Sequence, residues 1–274
     1  MPPTSSPNRI DETFSALRVA GKKAFVAYLA AGDPDLPQTA RLAFALEAAG
    51  VDILELGVPF SDPLADGAVN QAAAGRAIAS GTTTGGVLRA VRAMRDDGLR
   101  LPVVLYTYLN PIYIYGFARF LQEAADAGVD GALILDLPPD EADRNAELRG
   151  RPTGLKLIRL IAPNTPRERL QTIADAAEGF IYFVSREGVT GEQATVSASI
   201  DERVAAIRAV SALPVVVGFG ISNPAQAREA ARPADGVVVG SAIVRRVGEL
   251  GAREELAATV ADFVRPLVEA VKLL

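Results

Sequence analysis

Histidine and cysteine are both absent from this sequence of 274 residues. Their absence excludes Ser-His-Asp and Cys-His nucleophile systems, zinc sites with imidazole or thiolate ligands, and disulfide bonds. Carboxylates, hydroxyls, a few amines and backbone groups are left to carry any chemistry. Magnesium with oxygen ligands is the only metal that such a chain binds readily, and we expect no bound metal.

Lysine is almost as scarce, because the chain has only Lys22, Lys23, Lys156 and Lys272. A Schiff-base aldolase or a lysine-dependent synthase needs an amine near the active end of its strands. Lys156 is the only lysine in a predicted strand, and it lies about 13 Å before the strand end at Leu160, at about 3.3 Å per residue. We therefore predict a structural role for Lys156 at the opposite face.

The sequence also lacks a long apolar run and an excess of positive charge. No stretch of about 18 apolar residues occurs, so we expect no membrane-spanning segment. The net charge of -5 argues against nucleic acid or an anionic membrane as the main partner. Residues 1–7, MPPTSSP, are polar and lack the apolar region of a signal peptide, so we predict a disordered lead and a cytoplasmic protein.

Short β-branched runs alternate with alanine-rich helical patterns along the chain, which is typical of βαβ units and a parallel sheet. Eight runs predict a single closed (β/α)8 TIM barrel over residues 8–274, with an extra N-terminal helix. An open, doubly wound sheet is the alternative, but the Gly-x-Gly-x-x-Gly turn that usually follows its first strand is absent. The predicted strands are Phe25–Leu29, Val51–Leu56, Pro102–Tyr106, Gly131–Leu135, Leu155–Leu160, Phe180–Val184, Pro214–Val217 and Gly236–Val239.

The second predicted strand ends in an acidic segment, ELGVPFSDPLADG at residues 55–67. Glu55 stands where a buried strand should hold an aliphatic residue, and an unpaired charge is costly to bury. It is either a catalytic group or half of a salt bridge to a neighbouring strand. Asp62 and Asp66 follow in a loop that prolines restrain. A carboxylate on the strand and another on the loop indicate an acid/base pair.

Other strand ends carry tyrosines and glycines. The third is followed by YTYLNPIYIY at residues 106–115, which either lines an apolar ligand or lies at a subunit contact. The last three lead into SREGVTG at 185–191, GFGIS at 218–222 and GS at 240–241. Glycines let backbone amides approach an anion, and a helix N-terminus adds partial positive charge. Because this part of a barrel is a frequent phosphate site, the sequence predicts acid/base chemistry on a phosphorylated substrate.

Six segments, in order along nearly the whole chain, resemble the tryptophan synthase alpha chain family. They are ELGVPFSDPLADG (55–67), YLNP (108–111), DLP (136–138), SREGVTG (185–191), GFGIS (218–222) and GSAI (240–243). The first is the longest and most specific. The resemblance implies a lyase of tryptophan biosynthesis, which cleaves indole-3-glycerol phosphate by a retro-aldol reaction into indole and glyceraldehyde 3-phosphate.

The resemblance also implies a role for each matching residue. Glu55 would be the general acid and base, and Tyr182 would stand beside it. Asp66 would either take the indole N–H proton or stabilise the indoleninium cation that forms when indole C3 is protonated. At position 28 the family often has phenylalanine, so the tyrosine of this chain adds a hydroxyl to the indole slot. The implied slot residues are Tyr28, Leu133, Thr190 and Phe219, and the implied phosphate residues are Gly191, Gly220, Gly240 and Ser241.

A partner follows from the same resemblance. The family works bound to a beta chain that consumes the indole, so we expect an alpha2-beta2 heterotetramer. Pyridoxal phosphate is expected only in the beta chain, and no cofactor in this one. For Asp136 a simple helix cap is the alternative to a partner contact. The expected partner-facing residues are Asp62, Pro63, Asn110, Asp136 and Pro138.

Two other functions stay open on sequence grounds. One is another phosphate-binding barrel of the same pathway, such as indole-3-glycerol phosphate synthase, which the missing strand-end lysines disfavour. The other is a catalytically silent barrel that binds phosphate and activates a partner. The presence of Glu55 and Asp66 argues against a silent barrel.

Overall fold

Eight parallel strands close into a barrel, in which each strand pairs with its neighbours in sequence and the eighth pairs with the first. This computed structural model describes residues 7–152, 154–185, 193–218 and 220–274. The predicted closed barrel is confirmed, and the open sheet is wrong, because no edge of the sheet is left unpaired among the eight strands. The strands are β1 Ala24–Ala30, β2 Ile53–Gly57, β3 Val103–Thr107, β4 Gly131–Ile134, β5 Lys156–Ile161, β6 Ile181–Val184, β7 Val215–Gly218 and β8 Gly236–Val239.

Helices connect the strands and cover the outside of the barrel. Several begin where a side chain satisfies a free amide, as at Asp35, which accepts a hydrogen bond from the Gln38 amide at 2.7 Å. The helices are α1 Arg9–Val19, α2 Leu36–Ala48, α3 Ala68–Ala79, α4 Thr84–Asp96, α5 Leu109–Tyr115, α6 Phe117–Asp126, α7 Pro139–Arg144, α8 Ala146–Arg149, α9 Arg167–Asp175, α10 Gln193–Arg208, α11 Pro224–Ala231, α12 Ser241–Leu250 and α13 Leu256–Lys272.

Alternate residues of each strand fill the inside of the barrel, since successive side chains of a strand point to opposite faces. Near the C-terminal ends of the strands the inward-facing residues are polar, or are glycines without a side chain. The β1–β2 register pairs Tyr28 with Glu55, and the β2–β3 register pairs Gly57 with Tyr106. Polar groups therefore collect at the end where barrel enzymes bind their substrates.

Helix α1 closes the opposite, N-terminal end of the barrel. Ile10 is fully buried, and the ring of Phe14 packs on that of Phe180 with centroids 5.7 Å apart. The Lys156 ammonium lies 2.9 Å from the Asp11 carboxylate of this helix. Lys156 therefore lies at the face opposite the strand ends, as predicted, and helps to dock the helix.

None of the helices in the described part of the chain is long and apolar enough to cross a membrane. The division into a lead at residues 1–7 and one domain at 8–274 stays a prediction.

Candidate active site

Glu55 lies on β2 inside the barrel, with 1% of its surface exposed. Its Oε1 atom has no hydrogen-bond partner among the described residues. Among the described residues, a salt bridge to a neighbouring strand therefore does not account for the burial of Glu55. Burial raises the pKa of Glu55 to about 8, and the nearby negative charge of Asp66 adds to the rise. The carboxyl group consequently holds its proton at neutral pH and can donate it.

Asp66 lies in the loop between β2 and α3, where three donors hold its carboxylate. Tyr108 Oη donates to Oδ2 at 2.7 Å, Tyr106 Oη donates to Oδ1 at 3.2 Å, and the Asn70 amide donates to Oδ1 at 3.3 Å. The loop backbone is fixed by the same elements, because the Ala65 amide donates to Tyr108 Oη at 3.0 Å. Donors on both oxygens suit a negatively charged carboxylate.

The tyrosines that contact Asp66 keep their protons. Burial raises the pKa of Tyr106 and of Tyr108, and the adjacent Asp66 carboxylate raises both further. Their hydroxyls are therefore donors, and the two carboxylates differ sharply in surroundings. Glu55 has an oxygen without a partner, whereas Asp66 is bonded at both oxygens, and such a difference allows two carboxylates to take different catalytic roles.

Two further tyrosines come close to these carboxylates. Burial raises the pKa of both Tyr182, on β6, and Tyr28, on β1, and the charges of Glu55 and Asp66 contribute to each rise. Glycines on the next strands leave room for the phenol groups. A Cβ atom at position 57 would overlap the Tyr28 hydroxyl, and one at position 218 would overlap the Tyr182 hydroxyl. The sequence thus places a tyrosine on one strand beside a glycine, which has no side chain, on the next.

The other described binding candidates lie at the same end of the barrel. Leu133, on β4, is buried in the interior cluster that includes Tyr28 and Tyr182. Gly220 follows β7, Gly240 follows β8, and Ser241 is the exposed first residue of α12. Because β7 and β8 are neighbours, these last three residues lie on one side of the barrel mouth. Three candidates lie outside the described residues, namely Thr190, Gly191 and Phe219.

The expected partner-facing residues lie after three neighbouring strands, β2, β3 and β4. Asp136 Oδ1 accepts a hydrogen bond from the Leu109 amide at 2.6 Å, so this residue does cap a helix, but the helix is α5 of the neighbouring connection. Large apolar side chains lie exposed at the same exits, namely Leu64 at 83%, Tyr113 at 72% and Ile114 at 76%. The last two belong to the segment 106–115, for which a subunit contact is one of the two interpretations from sequence. The expected residues are exposed or half-buried: Asp62, Pro63, Asn110, Asp136 and Pro138.

The sequence analysis assigns the tyrosines of residues 106–115 to a ligand or a subunit contact, but it does not pair Tyr106 or Tyr108 with Asp66 and gives no role to Asn70, although all three bond to Asp66. The strand period could have indicated the two tyrosines, because they have the parity of the inward-facing Val104. Asn70 stands four residues after Asp66 near the start of α3, a spacing that brings side chains together on a helix. The sequence pattern around these residues does not predict that the loop carrying Asp66 packs against β3.

Known proteins resemble this chain along nearly its whole length. The profile of the family described as tryptophan synthase alpha chain matches residues 14–272. The tryptophan synthase alpha chain of Opitutus terrae is 50% identical over 266 residues, which cover 97% of this chain and 99% of that protein. That of Geobacter sulfurreducens is 48% identical over 264 residues, covering 96% and 99% respectively. A crystal structure of tryptophan synthase subunit alpha from Legionella pneumophila superposes with a TM-score of 0.88 at 38% identity, covering 97% of this chain and 99% of that one.

Proposed function

The chain belongs to the tryptophan synthase alpha chain family, and from that membership we propose how its residues carry out the reaction. The protein is a lyase of tryptophan biosynthesis that cleaves indole-3-glycerol phosphate into indole and glyceraldehyde 3-phosphate. The bond between indole C3 and the first glycerol carbon breaks in a retro-aldol reaction. Indole C3 must gain a proton, and the hydroxyl on the neighbouring carbon must lose one.

Glu55 is the general acid and base for both proton transfers. The observation that carries this assignment is its complete burial, which raises the pKa of the carboxyl group to about 8 and keeps it protonated. Protonated Glu55 donates to indole C3 and leaves a cationic ring. Its carboxylate then takes the hydroxyl proton, the oxygen electrons form the aldehyde carbonyl, and the electrons of the breaking C–C bond restore the indole ring. Glu55 ends the reaction protonated, as it began.

Asp66 stabilises the positive charge that develops on the ring while C3 is protonated. Its carboxylate accepts from the indole N–H, and the hydroxyls of Tyr106 and Tyr108 already hold it in one orientation. A charge that is fixed beforehand stabilises the transition state without reorganising as the reaction proceeds. Tyr182, whose buried hydroxyl keeps its proton, orients the glycerol hydroxyl against Glu55.

The substrate is bound at its two ends by different chemistry. An apolar slot takes the indole, and backbone amides take the phosphate. The N-terminus of α12, which follows Gly240, supports the phosphate assignment because free amides and the helix dipole favour an anion there. The slot residues are Tyr28, Leu133, Thr190 and Phe219, and the phosphate residues are Gly191, Gly220, Gly240 and Ser241.

The beta chain that family membership implies binds at the exits of β2, β3 and β4, and the assembly is a cytoplasmic alpha2-beta2 heterotetramer. Leu64, Tyr113 and Ile114 expose 72% to 83% of their surface there, and clustered exposed apolar side chains are typical of a surface that another chain covers. Pyridoxal phosphate belongs to the beta chain, so the cleavage uses only side chains of this one. The other partner-facing residues are Asp62, Pro63, Asn110, Asp136 and Pro138.

Indole release from indole-3-glycerol phosphate tests the assignment, measured for the purified chain with and without a beta chain. We expect slow release alone and strong activation by the partner. Glu55→Gln keeps the shape of the side chain, but an amide can neither donate nor accept a proton as an acid or base near neutral pH, so kcat should fall about 10²- to 10⁴-fold while substrate binding changes little. Glu229→Gln, at an exposed position of α11, is the matched control. Near-normal turnover by Glu55→Gln would exclude Glu55 as the acid and base.

A further inference from the structure

We propose that Tyr106 is a positioning residue for this reaction, because its hydroxyl fixes the Asp66 carboxylate in the orientation that meets the ring nitrogen of the substrate. The inference rests on the proposed role of Asp66. Tyr106 contacts neither of the reacting carbon atoms in this scheme and acts through the carboxylate alone.

The two tyrosines at the end of β3, Tyr106 and Tyr108, bind different oxygens of the Asp66 carboxylate. Tyr108 Oη donates to Oδ2 at 2.7 Å and accepts from the Ala65 amide at 3.0 Å, so it fixes the loop backbone as well as the carboxylate. Tyr106 Oη donates to Oδ1 at 3.2 Å, so its contact is with the carboxylate itself. Asn70 also donates to Oδ1, at 3.3 Å, so both oxygens have donors and the carboxylate cannot rotate about its last bond without losing a hydrogen bond.

The Tyr106 ring is itself held in place, which is what a positioning residue requires. Its ring meets the ring of Tyr28 edge-on, with centroids 5.2 Å apart and an interplanar angle of 77°. The parallel register places Tyr106 between Gly57 of β2 and Leu133 of β4. Burial, together with the charge of Asp66, raises the pKa of Tyr106, so the hydroxyl remains a donor throughout the working pH range.

Loss of this donor should affect catalysis and substrate binding differently. Without the Tyr106 hydroxyl, Oδ1 keeps, among the described residues, only the bond from Asn70, and a carboxylate that is held less firmly takes up its productive orientation less often, whereas the slot and the phosphate site are unchanged. Tyr106→Phe should therefore lower kcat of the isolated chain about tenfold, the effect of about one hydrogen bond, and change KM less than about twofold.

The pH profile gives a second readout that simple packing damage would not move. The titratable groups around Glu55 are Asp66 of the following loop, Tyr28 of β1, Tyr106 of β3 and Tyr182 of β6. The Tyr106 hydroxyl partly offsets the negative charge of Asp66, and that charge raises the pKa of Glu55. Removing the hydroxyl should therefore move the basic limb of the kcat profile, where Glu55 loses its proton, to higher pH.

Tyr115→Phe is the matched control, because Tyr115, the last residue of α5, also donates its phenol hydrogen to a carboxylate, but to that of Glu123 on α6 and not to Asp66. Its kcat, KM and pH profile should equal those of the unchanged chain. A Tyr106→Phe variant with normal kcat and an unmoved basic limb would overturn the proposal.

A double-mutant cycle separates this proposal from the role of Asp66. If Tyr106 acts through Asp66, Tyr106→Phe should have less than about a twofold effect on single-turnover indole release in an Asp66→Ala background. An equal loss in both backgrounds would show that Tyr106 acts by another route and overturn the proposal. Near-normal turnover by Asp66→Ala alone would instead remove the proposed function of Asp66.

Discussion

Replacing Glu55 by glutamine should make the protein more stable at alkaline pH relative to the unchanged chain. Glu55 is buried without a hydrogen-bond partner at Oε1, and its pKa rises from 4.5 to about 8 on folding. The folded chain therefore binds this proton more tightly than the unfolded chain. Its contribution to stability is fully present below pH 4.5 and is lost as the pH rises through about 8. Glutamine is uncharged at every pH and carries no such dependence.

The size of the effect follows from the pKa difference. One pKa unit corresponds to about 1.4 kcal/mol, so the Glu55 contribution should fall by about 4 kcal/mol between about pH 5 and pH 9. The other titrating groups are common to both proteins and cancel in the comparison. The difference in unfolding free energy between Glu55→Gln and the unchanged chain should thus move by about this amount in favour of the variant.

Urea unfolding followed by circular dichroism at about pH 5, 7 and 9 measures this difference. Glu229→Gln, which replaces an exposed glutamate on α11, is the matched control for the loss of one carboxyl group. If the Glu55→Gln difference stays constant within about 1 kcal/mol over this range, Glu55 titrates normally in the fold. A normal pKa would refute its proposed role as the proton donor at neutral pH.

Two further predictions concern packing and the partner surface. Gly218→Ala should lower kcat about tenfold or more, because a Cβ atom there would overlap the Tyr182 hydroxyl; unchanged kcat and thermal midpoint would contradict this packing. Leu64→Asp and Ile114→Asp should each weaken binding of the beta chain by about 1 to 2 kcal/mol, measured by titrating the activation of indole release, and leave the basal rate of the isolated chain unchanged. Val19→Asp, which alters a side chain 87% exposed at the other end of the barrel, should leave activation intact, and an equal loss there would place the partner elsewhere.

The barrel could be predicted from the sequence because its strands are short, β-branched and regularly spaced, but their limits depend on tertiary contacts. The second strand is predicted to begin at Val51, yet β2 begins at Ile53. The Val51 amide donates to the Leu46 carbonyl and so completes the end of α2. Asp52 accepts from the Phe25 amide and pairs with Lys272. Val51 and Asp52, which the sequence predicts to lie in the strand, therefore complete a helix end and form an ion pair instead.

The candidate site divides in the same way. Glu55 could be recognised as a site residue because a carboxylate interrupts the apolar pattern of its strand, and the neighbouring residues alone show that interruption. The partners of Asp66 could not be predicted, because they depend on how the loop folds back against β3. The assignments to Thr190, Gly191 and Phe219 stay predictions, since these residues lie outside the described part of the chain.

Helix α1 has a consequence for the movement of protons in the barrel. It fills the N-terminal end with Ile10 and Phe14 and is tied there by Lys156, so within the described residues the interior faces solvent at the opposite end. A substrate bound at that end separates Glu55 from bulk water for as long as the reaction lasts. The proton given to the indole ring must then be replaced from the same substrate molecule, by its own hydroxyl. The proposed reaction is neutral in protons overall, and the closed end of the barrel leaves the substrate hydroxyl as the source of the proton that returns Glu55 to its starting state.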